Sequence, residues 1–489
     1  MTVSSTVSRF GLALGLVVAS AATLGAQDAP PFRPGQLVER ATAEDDSSQH
    51  YAVFVPSSYR ADRMWPLLLL LDPRGRALIP LTRVRAVAER LGYLVMSSYN
   101  SRSDEFIDPN ADAINAMLHD AQRFFALDQR RVYLVGQSGT ARADWVYGYQ
   151  LKGHVAGLIG FGAALPRGFE FTPRPADQAP IMVFFGAAGT TDYNFDEMFT
   201  LDTLLERVNF PHRISWFEGP HAWPGEPVLT EAVEWVELQA MKYGLKPEDP
   251  AWIDSTLASS MAEAESLATT GDAYLGWRRY RAIIADFGGL RDVSNAARRE
   301  RELARGPVVQ KIGRHLAETV RDQEAWNARL AAFLTDFGNG SPPPLEKSLH
   351  TLGVPKLLRR ANGTDDPIDA QAAARRLANI WVYTSFYLPQ DYLARGDPDR
   401  ALAILKVAEA IHPGRPDLCY ERARAYQAMQ RIPDALTEVE CLLHAGIAPE
   451  RLEHDPLLEQ LRSEWAFRAL LARTPRPPVA PPGPARAGG

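Results

Sequence analysis

The stretch that most constrains this chain is Arg131–Trp145, RVYLVGQSGTARADW. Val132, Tyr133, Leu134 and Val135 form a short β-rich run that suits a buried strand. Gly136-Gln137-Ser138-Gly139-Thr140 follows at once, before a helix-like segment from Ala141. A serine flanked by glycines at a strand-to-helix turn is what a nucleophile elbow needs. The sharp backbone lifts the hydroxyl clear, and the small neighbours leave room for it. Ser138 is therefore the first candidate nucleophile. Thr140 stands where that elbow has its last glycine, and a branched side chain packs helix against strand less closely. The plain alternative is an ordinary strand, turn and helix with an exposed serine.

With 489 residues, 46% hydrophobic and 23% charged, the chain has globular composition and is too long for one ordinary domain. A net charge of -6 offers no basic footprint for nucleic acid. The first residues read as an export signal, 1–26: Arg9 supplies a positive start, Phe10 to Leu24 is uncharged, and Ala26 before Gln27 offers a small residue for cleavage. No cysteine follows it to carry a lipid, and no later stretch is apolar for the length of a membrane span. The expected location is periplasmic or secreted.

From His50 the pattern alternates strands and helices. Apolar runs at His50 to Pro56, Leu67 to Leu71, Tyr93 to Ser97, Val155 to Gly160, Ile181 to Gly186 and Ile214 to Glu218 read as strands. Ile114, Leu118, Ala121 and Phe125 recur at helical spacing, and Val228 to Tyr243 reads as an amphipathic helix. Continuous apolar strands in alternation with helices argue for a mostly parallel sheet covered on both faces, over 27–245.

In such a sheet the chemistry sits beyond the carboxyl ends of the strands. Asp192 follows one strand, with Asp196 close behind, and His221 follows the next between turn-forming residues. The order Ser138, Asp192, His221 is that of a nucleophile-elbow enzyme. An imidazole takes the serine proton, and a carboxylate fixes the tautomer and stabilises the charged ring. For the oxyanion, one NH is expected from Gly139 and another from the loop Asp72-Pro73-Arg74-Gly75-Arg76. Pro73 has no NH, which leaves Arg74 or Gly75. Tyr99, Phe161, Tyr193 and Trp223 are the candidate walls of a substrate pocket. No cysteine and histidine cluster has metal-ligand spacing, and no cofactor motif is present.

On RVYLVGQSGTAR, on GTTDYNFDEM and on GPHAWP with its His-x-Trp-Pro, the stretch His50 to Gly244 resembles an α/β-hydrolase. The resemblance is to secreted esterases related to polyhydroxybutyrate depolymerases and feruloyl esterases. It implies hydrolysis of a small or polymeric ester without a cofactor, with Ser138, Asp192 and His221 as the triad. Thr140 and the DPRGR loop depart from that family's usual glycine and histidine-glycine. A peptidase or amidase on the same fold and an exported binding protein without activity are the competing readings.

Beyond Lys246 the strand signals stop, and 246–473 is rich in alanine, leucine, arginine and glutamate. Tyr392, Ala401, Leu402 and Ala408 are matched about 34 residues later by Tyr426, Ala435, Leu436 and Leu442. That spacing resembles tetratricopeptide repeats, with Gly271, Gly276 and Tyr280 as a degenerate third copy. Such an all-α domain either binds a protein or peptide partner or braces the hydrolase. The end, 474–489, is proline-rich and reads as a disordered tail. If the second repeat is a helical hairpin turning near Gln430, Cys419 and Cys441 lie at matched height on antiparallel helices, which permits a disulfide. Against the bridge, the repeat leaves Cys441 one place off the inward face, and buried cysteines also serve as small apolar residues.

Overall fold

A computed structural model describes residues 31–103, 108–151, 153–170, 182–363 and 366–473. The expected leader 1–26, the proline-rich end 474–489 and Ile181 lie outside the described residues. The chain divides into two compact units, Met1–Arg321 and Asp322–Gly489. The change of composition at 245/246 therefore falls inside the first unit, and three helices beyond it belong with the sheet.

The first unit runs β1 (Leu37–Thr42), β2 (His50–Phe54), β3 (Trp65–Leu71), α1 (Leu78–Leu91), β4 (Leu94–Ser98), α2 (Asn110–Phe124), β5 (Leu127–Gln137) and α3 (Gly139–Gln150). It continues through β6 (Gly157–Phe161), β7 (Val183–Gly189), α4 (Phe195–Arg207), β8 (His212–Phe217) and α5 (Glu226–Lys242). The strands form one sheet in the order β1-β2-β4-β3-β5-β6-β7-β8. β2 is antiparallel to both its neighbours, and the pairs from β4 to β8 are parallel. This is the mostly parallel α/β architecture expected of the first part.

β3 shows why the sheet is covered twice. Leu67, Leu69 and Leu71 point into a core shared with α2, α3 and α4, while Leu68 and Leu70 point into another shared with α1 and α5. All five are fully buried, each contributing roughly 1.5 to 3 kcal/mol of apolar burial. β1 has no clear signal in the sequence because it is a mostly exposed edge strand carrying Glu39 and Arg40, charges that discourage further pairing. The chain leaves β3 toward β4 on one side and returns to place β5 on the other. That reversal makes the carboxyl ends of β3 and β5 the crevice where an open sheet binds ligands.

Helices α6 (Pro250–Thr270), α7 (Ala273–Phe287) and α8 (Ser294–Ala304) complete this unit. α7 covers the outer edge of β8. Arg278 donates to the Ile214 carbonyl, and Asp286 accepts from Arg213 at 3.0 Å and from the Trp235 indole at 2.7 Å. These helices brace the sheet, one of the two roles read for the helical region. Along the seam runs an open cleft of about 910 Å³ whose charged walls pair with one another, as Arg213 with Glu231 and Arg278 with Asp202.

The division between units falls within α9 (Pro307–Asn339). The second unit is all-helical: α10 (Leu345–Leu352), α11 (Val354–Gly363), α12 (Pro367–Val382), a π-helical turn at Tyr383–Tyr387, α13 (Leu388–Ala394), α14 (Pro398–Ile411), α15 (Pro416–Ala428), α16 (Ile432–His444), α17 (Pro449–Glu453), α18 (Glu459–Arg462) and α19 (Trp465–Arg473). α15 and α16 form a hairpin whose turn places Gln430 at φ 58°. Cys419 and Cys441 face each other across it, joined by a disulfide with Cα atoms 6.3 Å apart.

Candidate active site

Ser138 sits between the end of β5 and the start of α3 with φ 58° and ψ -126°. A non-glycine residue at positive φ is held there only by its surroundings. Its NH donates to the Phe161 carbonyl at 2.8 Å, which pins the turn to β6. The glycines beside it have no alternative. A Cβ on Gly136 would lie 2.5 Å from Asp144 Oδ2, and one on Gly139 would lie 2.3 Å from the Ser103 Cβ.

Thr140 has a structural reason for standing where a glycine was expected. Its hydroxyl accepts from the Gln137 NH at 3.1 Å and donates to the Leu71 carbonyl at 2.5 Å, so it ties the elbow to the end of β3. The residue is fully buried, and the branched side chain serves as a cross-strand clasp.

The acid and histidine loops meet beyond β7 and β8. Thr190 NH donates to Phe217 O, and Thr191 NH donates to Gly219 O. This zips the two loops together. Gly189 permits the approach, since a Cβ there would be 2.2 Å from the Gly219 oxygen. In that frame Asp192 Oδ1 lies 2.8 Å from His221 Nδ1 and also accepts the Asn194 NH at 2.8 Å. Asp192 is 1% exposed, so the carboxylate side of the bond to the ring is shielded from water. Asp196 is buried in the first turn of α4, and among the described residues Asp192 is the carboxylate bonded to His221. Gly162 closes over this pair: a Cβ on it would be 2.6 Å from Asp192 Oδ2 and 3.0 Å from His221 Nδ1. The other ring nitrogen, Nε2, lies 3.2 Å from Gln137 Nε2.

The turn after β3 is organised by Asp72. Its carboxylate is fully buried and accepts from the Arg74 NH at 2.8 Å, the Arg76 NH at 3.0 Å, the Arg76 guanidinium and the Trp223 indole at 2.7 Å. Burial pushes this carboxyl up, but bonds from Arg76, Trp223 and Arg74 outweigh that and hold it below the ordinary carboxylate range. The Gly75 NH donates to the Asp72 carbonyl at 3.0 Å. The two alternative turn donors, Arg74 and Gly75, are thus both engaged inside the turn, whereas Gly139 opens α3 where helix amides lack intrahelical acceptors.

The four expected pocket walls differ in place. The Tyr193 ring lies 4.3 Å from the His221 ring and is part of the site. Phe161 and Trp223 do not line an open pocket: they are 0% and 5% exposed and pack on each other at 5.6 Å within the core. An aromatic at a strand end can face the site or the sheet interior, and here the Asp72 bond turns Trp223 inward. Tyr99 points its hydroxyl to the Glu39 carbonyl, with Arg40 over its ring. Asp72, Gln137, Gly162 and Asn194 were not singled out from the sequence. Only Gln137 carried a local signal, its place beside Ser138. Elsewhere, Cys419, Glu438 and Cys441 come within 4.8 Å of one another, but both sulfurs are spent in the disulfide.

A family model described as tetratricopeptide repeat matches residues 392–445. No curated protein matches the chain. Among solved structures it is similar to a ferulic acid esterase, with 13% identity over 41% of this chain and 96% of that one and a TM-score of 0.34. It is also similar to FphF, a fluorophosphonate-binding serine hydrolase of Staphylococcus aureus, with 13% identity, coverage of 41% and 98% and a TM-score of 0.34. A carboxylesterase of Bacillus cereus shares 20% identity over 40% of this chain and 96% of that one, with a TM-score of 0.31.

Proposed function

We propose that this chain is an exported serine hydrolase that cleaves a carboxylic ester through an acyl-enzyme. Two observations carry the reading: the Asp192–His221 hydrogen bond, and a serine held at positive φ on a strand-to-helix elbow whose preceding residue, Gln137, reaches the same imidazole. In this mechanism Nε2 of His221 takes the Ser138 proton as Oγ adds to the ester carbonyl. Collapse of the tetrahedral intermediate expels the alcohol, which leaves with that proton. Water, deprotonated by the same nitrogen, then releases the acid and restores Ser138. Gly139 NH faces the oxyanion. A second NH from Arg74 or Gly75 requires that amide to leave Asp72.

The leader-like segment 1–26 and the disulfide support export, since disulfides persist in oxidising compartments. Among the described residues no helix is long and apolar enough to cross a membrane. The repeat match over 392–445 supports a peptide or protein partner on the second unit. In domain terms the reading assigns the catalytic sheet and its helices to 27–245 and the helical part to 246–473, of which α6 to α8 pack with the sheet in the first unit.

Fluorophosphonate labelling followed by peptide mapping tests the assignment, together with turnover of short p-nitrophenyl esters. The label is expected on Ser138, and Ser138→Ala is expected to cut turnover about a thousandfold or more. A label on another residue, or an active alanine variant, overturns it.

A further inference from the structure

We infer that Gln137 is a positioning residue that holds the accepting nitrogen of His221 at rest and must yield it to Ser138 before acylation. The inference rests on the serine-hydrolase reading. Its starting point is the Asp192 carboxylate, 2.8 Å from His221 Nδ1. A carboxylate only accepts, so the proton of the neutral ring sits on Nδ1 and the lone pair sits on Nε2. The Gln137 atom 3.2 Å from Nε2 must then be its amide nitrogen, donating to that lone pair. Among the described residues no hydrogen bond joins Ser138 to His221.

One lone pair cannot take two donors at once. The nitrogen that the mechanism needs as base is therefore occupied by the residue preceding the nucleophile. Gln137 is held in place for this: its NH is bonded to the Thr140 hydroxyl, and it is 4% exposed. Water therefore competes poorly for its amide. The Tyr193 ring, its centroid 4.3 Å from that of the imidazole, limits the room His221 has to move away. Entry of a substrate, by displacing the Gln137 amide or drawing it to an acceptor oxygen, is what lets Ser138 engage the base.

Two substitutions of opposite chemistry test this. Gln137→Met keeps the length and removes the donor, so Nε2 is free for Ser138. Fluorophosphonate labelling of Ser138 is expected to quicken about threefold or more. Gln137→Glu offers an acceptor, which demands a proton on Nε2 and so blocks the base; labelling is expected to slow about tenfold or more. A mere packing role moves both variants in the same direction, and that result, or no change in either, overturns the inference. Gln137→Leu replaces the methionine variant should the latter misfold. The ¹⁵N resonance of His221 Nε2 provides a readout independent of activity: loss of the donor moves it downfield, and an unmoved signal overturns the contact. Failure of the wild-type protein to label at all sinks the hydrolase reading, and the contact is then judged on the nitrogen signal alone.

Discussion

The indole of Trp223 donates to Asp72 Oδ2 at 2.7 Å, joining the loop that carries His221 to the turn after β3. Arg83 secures the same loop by donating to the carbonyls of Trp223 and Pro224 at 2.6 and 3.0 Å. The loop of the candidate base is thus held from the turn after β3 and from α1.

Asp72→Asn is expected to destabilise the protein by about 1 to 3 kcal/mol at neutral pH, because a buried hub loses its charge and an amide cannot accept from all its donors. The folded pKa of Asp72 is depressed, so its contribution is present above the unfolded value near 4 and is lost as pH falls through the folded one. Thermal melts of the two proteins should differ most at pH 7 and converge in acid. A gap that does not narrow in acid removes ionisation as the cause.

Asp192→Asn should lower ester turnover far more than Asp196→Asn, by about a hundredfold or more relative to it, because Asp192 bonds Nδ1 of the ring. Steady-state rates of the two variants decide it. The opposite ranking would reassign the acid.

Gly162→Ala places a methyl 2.6 Å from Asp192 Oδ2 at a position with φ 63°. The expected outcome is a drop in kcat of about tenfold or more with a smaller change in KM, since the displaced pair acts on proton transfer rather than on binding. Near-normal kcat would show that the loop yields without moving the acid and base.

Asp144 lies in α3 against Gly136, 1% exposed, and among the described residues neither carboxyl oxygen has a hydrogen-bond partner. Burial, with a smaller contribution from Asp108, pushes its pKa well above the ordinary value. The folded protein keeps this proton where the unfolded chain has released it, so stability falls as pH rises above about 4. Asp144→Asn should match the wild type near pH 4 and melt higher at pH 7. An equal or lower melting temperature at pH 7 counts against a neutral carboxyl here.

Reduction of Cys419–Cys441, or Cys419→Ala with Cys441→Ala, should lower the stability of the helical unit. The bridge spans a sequence separation of 22 residues, worth about 3 kcal/mol in the chain-entropy model. Melts followed by helical circular dichroism, with and without reductant, are the measurement; superimposable curves would mean that the bridge adds no stability.

Ser138 was legible in the sequence because the signs of an elbow are local: a β-rich strand, a serine and two glycines fall within a few residues, even though the strained turn itself is held by Phe161 on β6. The covered parallel sheet was legible for a similar reason, since runs such as Leu67 to Leu71 admit only burial on both faces. The helical hairpin around Gln430 was legible through the repeat period. Tertiary structure alone decided the rest. Asp192 and Asp196 are chemically alike and lie close in sequence, and the choice between them depends on how the loops after β7 and β8 zip together. Trp223 faces Asp72, a residue 151 positions away, so its removal from the pocket wall had no local trace. Gln137 was visible beside Ser138, but its bond to His221 crosses 84 positions. Backbone conformation follows from neighbours along the chain, whereas partners across it are set by which strands the sheet brings side by side.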